Sequence, residues 1–476
     1  MKRYKRLAIL CGILVCVSLA AFGVSRYEKQ KEQIQNSDEI ILKIHNEEVN
    51  VLSWECDTGS FSFRRDENGN WLYDKDQEFP VDGEKIKGML ELFEEFGVSF
   101  RIEAVEDFGQ YGLDTPTGTI HMETESDTYE ILLGDYSTMD SQRYVSIGDG
   151  NVYLVKTDPL ERFGIEIADV ILHDDIPELA EVTQIQFSGT ESEQIFYEEE
   201  SAATYNPEDV YFVRREETLL PLDTSRVEAY LDIIRNMNLK DYVNYKASEA
   251  DLEAYGLDEP ELSVMIDYTA EKDTEEEAKE TFTLHIGRDM AEREAEEAES
   301  ETAGEKEADE DSGEEVTAYA RVGESKIIYQ ITKEQYEKLR ETSYDSLRHQ
   351  ELFWGDFSHM YQLDIALEGK NYTLTSEKKG EERIWYDQEE ELEMAEIQSA
   401  IRGLRAESFT EQTPDQKEEI SLTIHLDHEN FPQIPIQLYR YDGANCIAVI
   451  NGKAVAFVER TQVVDLIEAV NHIVLK

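Results

Sequence analysis

Few residues in this chain have the types and spacing that metal or acid–base chemistry needs. His425-Leu426-Asp427-His428 offers two imidazoles and a carboxylate within one short stretch, a donor set that suits zinc. In a strand, positions three apart face opposite sides, so both histidines cannot easily hold one ion. A polar strand end is the plainer reading. Asp309-Glu310-Asp311-Ser312-Gly313 opens like a calcium loop but lacks the full oxygen spacing and the closing Glu. A solvated acidic loop accounts for it. The sequence has no His-Glu-x-x-His, no Gly-x-Ser-x-Gly, no P-loop and no Gly-x-Gly-x-x-Gly. Metalloprotease, nucleophile-elbow, nucleotide-hydrolysis and dinucleotide chemistry therefore have no motif behind them. No catalytic, cofactor-binding or metal-ligating residue is assigned, and no cofactor is expected.

The pattern that does stand out is structural. Tyr111-Gly112-Leu113-Asp114-Thr115-Pro116 recurs as Tyr255-Gly256-Leu257-Asp258-Glu259-Pro260. The flanks repeat too. Pro80-Val81-Asp82 answers to Pro221-Leu222-Asp223, Leu133-Gly134-Asp135 to Ile286-Gly287-Arg288, and Tyr144 to Tyr319. Such internal copies come before any other reading of a fold. Gly112 and Gly256 permit a backbone turn that a Cβ resists. Asp114 and Asp258 are expected to accept a hydrogen bond from the backbone two residues on, and Pro116 and Pro260 to fix φ at the next strand. The alternative to this structural role is a partner-binding edge.

Elements must position these turns. Short alternating runs predict strands at 40–44, 49–54, 61–65 and 71–73, with Asn68-Gly69 supplying positive φ to a tight hairpin. Asp82 predicts a helix N-cap, and Ile86, Met89, Leu90 and Phe93 an apolar helical face. Strands at 119–123, 129–133, 143–147 and 152–156 follow, then a short helix near 159–163. The same order recurs from Val182 to Leu339. A degenerate third copy starts near Phe357, with Met394, Ile397, Ile401 and Leu404 as its helical face and no Tyr-Gly-Leu-Asp element. The fold class is thus α+β: tandem repeats of an antiparallel sheet with one packed helix, preceded by a single N-terminal transmembrane helix. The expected segments are an anchor at 1–31 and repeats at 38–170, 180–345 and 355–476. A run of Glu and Asp at about 289–316 reads as a disordered acidic loop.

Composition narrows the partners. Formal net charge is −61, from 106 acidic and 45 basic residues. Phosphate backbones need Lys and Arg, so nucleic acid is excluded as a partner. The cysteines do not form a disulfide framework: Cys11 and Cys16 lie in the N-terminal apolar run, leaving Cys56 and Cys446. Lys2, Arg3, Lys5 and Arg6 precede an uncharged run from Leu7 to Val24, about the length that crosses a bilayer. A cleaved signal peptide and an uncleaved anchor compete, and the length of the run favours the anchor. The leading positive charges hold the N-terminus inside and place the bulk of the chain outside the cytoplasm.

With its two Tyr-Gly-Leu-Asp-x-Pro elements, the glycine-ended strand after each and the Trp71 strand before the first helix, the chain resembles bacterial proteins of domain-of-unknown-function family DUF4340. The resemblance implies a membrane-anchored extracytoplasmic protein, of a kind often encoded beside ABC transporter parts, including a gliding-motility-type auxiliary subunit. It carries over no catalytic residues. A non-enzymatic accessory protein associated with an ABC transporter is the function expected. The alternatives are an extracellular ligand- or cell-wall-binding module, marked by an exposed aromatic row such as Trp71, Tyr211 and Trp385, and a hydrolase of surface polymer.

Overall fold

The computed structural model describes residues 39–474 except 104, 190–191, 216–217, 271–277, 296–316 and 381, together with residue 17. The transmembrane helix expected from Leu7 to Val24 therefore lies outside the described residues, apart from Val17. No helix among the described residues is long and apolar enough to cross a membrane. The chain divides into two compact units, Met1–His173 and Asp174–Lys476.

The first unit holds one nine-stranded antiparallel sheet. Its strands are β1 (Glu39–Leu42), β2 (Val49–Cys56), β3 (Gly59–Arg65), β4 (Trp71–Tyr73), β5 (Phe96–Ile102), β6 (Gly118–Thr124), β7 (Thr128–Ser137), β8 (Gln142–Ser146) and β9 (Val152–Val155). Their order is β1-β5-β9-β8-β7-β6-β2-β3-β4. Helix α1 (Gly83–Leu90) starts where Asp82 accepts from the backbone N–H groups of Glu84 and Lys85, as its capping pattern predicts. Helix α2 (Leu160–Phe163) closes the unit. Between helices and sheet lies an aromatic core: the Trp54 ring stacks on Phe63 at 5.4 Å and meets Phe163 edge-on at 5.5 Å. Such pairs add to the gain from buried area.

The β3–β4 connection differs from the expected tight hairpin. Only Gly69 of the Asn68-Gly69 pair has positive φ. A two-residue turn of the mirror-image type needs positive φ at both central residues. Here Asp66 organises a longer loop instead, accepting from the N–H groups of Asn68 and Asn70 at 2.8 Å each.

The second unit holds two more nine-stranded antiparallel sheets. One comprises β10 (Glu181–Gly189), β11 (Glu193–Tyr197), β12 (Tyr211–Arg215), β13 (Thr218–Pro221), β14 (Tyr242–Asn244), β15 (Leu262–Ala270), β16 (Ala278–Arg288), β17 (Ala318–Val322) and β18 (Ile328–Ile331). The other comprises β19 (Met360–Leu367), β20 (Lys370–Lys379), β21 (Glu382–Asp387), β22 (Glu390–Leu392), β23 (Ala406–Phe409), β24 (Glu418–Leu426), β25 (Gln433–Arg440), β26 (Asn445–Ile450) and β27 (Lys453–Glu459). Their orders are β13-β12-β11-β10-β15-β16-β17-β18-β14 and β22-β21-β20-β19-β24-β25-β26-β27-β23, the same path drawn twice. Reversed, the first sheet follows that path through β4-β3-β2-β6-β7-β8-β9-β5. It lacks the outermost strand beyond β4 and adds β1 beside β5.

The helices are more numerous than one per sheet. The second sheet carries α3 (Thr224–Arg235), α4 (Glu249–Ala254), α5 (Lys333–Arg340) and α6 (Tyr344–Leu347). The third carries α7 (Ala395–Gly403) and α8 (Arg460–Val474). Met394, Ile397, Ile401 and Leu404 are buried as expected, packed with Val463, Leu466 and Val470 of α8. The acidic insertion begins as helix at residues 290–295. It is held at both ends: Arg293 Nε lies 3.0 Å from Glu261, and the Thr317 N–H donates to Glu292 at 2.9 Å.

Candidate functional site

The two repeated turns come first, because their pattern singles them out in the sequence. Tyr111-Gly112-Leu113-Asp114-Thr115-Pro116 leads into β6, and Tyr255-Gly256-Leu257-Asp258-Glu259-Pro260 leads into β15. The two turns thus occupy one topological position in two sheets. Each ends a helical turn. Gly112 and Gly256 adopt φ of +70° and +63°. The Gly112 N–H donates to the Gly109 carbonyl at 3.0 Å and the Leu113 N–H to the Phe108 carbonyl at 3.1 Å. In the second copy Gly256 donates to Glu253 at 3.1 Å and Leu257 to Leu252 at 2.8 Å. This is the Schellman pattern, in which a left-handed glycine turns the chain and the next residue, here a buried leucine, closes it.

The aspartates do not play the part expected of them. Two residues beyond Asp114 and Asp258 stand Pro116 and Pro260, which have no N–H to donate. The Asp114 carboxyl lies instead against Gly109, where an added Cβ would sit 2.8 Å from its oxygen. A glycine of the next strand but one, in β7 or β16, is part of the same contact. A Cβ on Gly134 would strike the Tyr111 carbonyl, and one on Gly287 the Gly256 carbonyl. Tyr111 rests on Tyr144 at 5.0 Å, and Tyr255 on Tyr319 at 4.6 Å. The repeat motif is therefore a turn docked onto the sheet, filled by protein backbone.

Polar side chains beside each turn complete it. Arg143, nearly buried, pairs with Asp158 at 2.7 Å and donates to the Gly134 carbonyl at 2.6 Å. In the second sheet Glu261 accepts from Arg293 and from the Tyr336 hydroxyl, with Arg288 at 3.5 Å. His425 and His428 part company. His425 bonds Asp364 at 2.7 Å, while the His428 Nδ1 accepts from the N–H groups of Asn430 and Phe431. Trp71, Tyr211 and Trp385 are 7%, 3% and 5% exposed, so they form no exposed aromatic row.

A polar cleft of about 320 Å³ lies within the second unit, where the segment after α6 leads into the third sheet. Sequence reasoning did not find it. Its floor is Asp209, 2% exposed, in the loop before β12. Four donors converge on this carboxylate: Thr204 Oγ1 at 2.5 Å, Asn206 Nδ2 at 3.2 Å, His349 Nε2 at 3.0 Å and Trp354 Nε1 at 3.0 Å. A carboxylate buried this deeply is tolerated only with such a shell. The His349 ring also lies flat on Trp354, with centroids 4.6 Å apart and planes 8° from parallel. Position and tautomer of that imidazole are thereby fixed, and Nδ1 is the nitrogen left for the cleft.

Two further carboxylates border the imidazole. Asp223 caps α3, accepting from the Ser225 N–H at 2.9 Å, and its own N–H donates to the Leu347 carbonyl at 3.0 Å. Glu351 lies opposite Arg405 and pairs with it. One ligand atom from each of Asp223, His349 and Glu351 lies within 4.8 Å of the others. Arg402 also lines the cleft. Below it Tyr205 stacks on Trp354 at 4.8 Å and on Phe353 at 5.6 Å, tying the second sheet into the third core. Gly355 makes room, since a Cβ there would meet the Tyr205 ring at 2.9 Å.

The only sequence signal of this cleft is His349-Gln350-Glu351. In an extended segment, side chains two apart share a face. Asp223 was legible as a cap, but nothing in the sequence linked it to residues so far along the chain. Among known proteins, no curated protein and no solved structure matches the chain. A family model does, over residues 71–260 and again over 213–423. Each match starts at one equivalent place in the shared sheet path, strand β4 or β12, and ends at the entry to or within the sixth strand of the next sheet, β15 or β24. The second match carries the copy relationship into the third sheet, which has no Tyr-Gly-Leu-Asp turn. Together the matches cover well over half of the 476 residues, and the chain belongs to the family described as a domain of unknown function, DUF4340.

Proposed function

We propose that this protein is a non-enzymatic accessory factor, anchored in the cell membrane by its N-terminal segment, with its body outside the cytoplasm and an ABC transporter as its partner. The observation that carries this reading is the N-terminal pattern, four basic residues and then the uncharged run Leu7–Val24. An excess of carboxylates suits a body kept in solution outside the cell and unsuited to nucleic acid. The repeated sheet supports a surface role, because several nine-stranded sheets give a protein broad faces for a partner. Fold alone does not set activity, so the reading must be tested on the protein in its membrane.

The test is cross-linking in intact cells, followed by purification from detergent-solubilised membranes. Transporter subunits should be recovered with the full chain and lost when residues 1–31 are deleted. Repeated purification without any transporter subunit, or a full chain that stays in the soluble fraction, would end this reading.

A further inference from the structure

We propose that Asp223, His349 and Glu351 form a binding site for a divalent transition-metal ion of zinc-like chemistry. Their ligand atoms lie within 4.8 Å of one another at the wall of a wet cleft, close enough for one ion to reach all three. The donor set, one imidazole and two carboxylates, is of the kind that holds zinc and its first-row neighbours. Calcium and magnesium prefer oxygen alone, so the imidazole selects against them.

The surroundings of His349 favour this role over that of a chance neighbour. A metal-binding imidazole is usually held by a hydrogen bond from its other ring nitrogen to a carboxylate. Asp209 takes that place, buried and 3.0 Å from Nε2. Stacking on Trp354 fixes the ring plane. The imidazole is thus pre-oriented, with only Nδ1 left to bind. Glu351 is held meanwhile by Arg405, whose side chain is 56% exposed and free to swing away. The guanidinium serves as the counter-charge that an arriving cation displaces. An ion here would join the N-terminus of α3 on the second sheet to the segment that opens the third. It would clamp the two sheets together.

This inference rests on the cleft alone and is independent of the transporter reading. The test is titration of the purified full chain with cobalt(II), a spectroscopic stand-in for zinc, in the presence of excess calcium. Calcium occupies the many exposed carboxylates, which a chain with 106 acidic residues must offer. One equivalent of cobalt should bind with visible absorption typical of a nitrogen-containing site, and zinc should displace it. Glu351→Gln and His349→Gln should abolish the bands, and Asp209→Asn should weaken binding by about 10- to 100-fold. Arg405→Ala should tighten it. Because His349→Gln removes a donor to a buried carboxylate, its far-ultraviolet circular dichroism is compared with wild type. If that variant unfolds, Glu351→Gln, on the wetter rim, decides between binding and no binding. Absence of saturable cobalt binding, or bands unchanged in Glu351→Gln, would overturn the proposal.

Discussion

Tyr230 shows how a single buried atom sets a measurable cost. It lies on α3, 3% exposed, with its ring 5.2 Å from Phe187. Its hydroxyl has no hydrogen-bond partner among the described residues. Burial pushes the phenol far above its ordinary range, so the group stays neutral and simply desolvated. Tyr230→Phe keeps the ring and removes the orphaned hydroxyl. Urea unfolding should show the variant more stable by about 1 kcal/mol. A loss of stability of that size would mean the hydroxyl has a partner. His285 makes a second case. On β16 it faces Ser263 and Arg321 across the strands, with Ser263 Oγ 2.8 Å from Nδ1. Burial, then the Arg321 charge, holds its pKa below the ordinary 6.5. The unfolded chain therefore takes up a proton where the folded one does not. That stability is present above pH 6.5 and is lost as pH falls through the depressed value. His285→Gln should flatten the fall in melting temperature between about pH 7 and pH 5. An unchanged slope would show that His285 is not its source.

At the scale of elements, the repeated turn makes the sharper demand. Gly256 has φ +63°, and a Cβ there would strike the Arg288 carbonyl. Gly256→Ala should cost about 1–3 kcal/mol, since backbone strain and a backbone clash act together. Gly88, inside α1, has open space where its Cβ would go. Gly88→Ala should stabilise the first unit by about 0.5–1 kcal/mol. Equal effects in the two variants would refute the account of the turn. Much of this level was legible. Asp82 and Asp223 cap the helices their spacing pointed to, and the meander strands fall where alternation placed them. Sequence reasoning missed β11, β13 and β22, and in every sheet the strand after the main helix: β5, β14 and β23. Each of these last three crosses to pair with the last strand, β9, β18 or β27, far along the chain. Phe96-Gly97-Val98 follows the apolar helix residues without a turn signal, and Tyr242–Asn244 is only three residues long. Local pattern cannot report a pairing made by tertiary contact. The cleft was illegible for the same reason, because Asp209, Asp223 and His349 meet only after two sheets have formed.

At the scale of the molecule, sheet topology and compactness part ways. Three sheets follow one path, yet the chain forms two compact units rather than three. The reason lies at the join of the second and third sheets. Tyr205, from the second, is buried in the core of the third among Phe353, Trp354 and Phe431. Asp209 draws two of its four donors, His349 and Trp354, from beyond the second sheet. A cut between these sheets therefore leaves a buried carboxylate half-satisfied and an aromatic ring without its stack, and each loss costs more than an exposed contact does. A fragment of residues 39–173 keeps its own aromatic core and should melt in one cooperative step. A fragment of 174–474 should do the same. A fragment of 174–345 should melt well below 174–474 and bind a hydrophobic dye, because Tyr205 is uncovered. If it melted at the same temperature and bound no dye, the shared core would not be what joins the two sheets, and each sheet would count as a folding unit of its own.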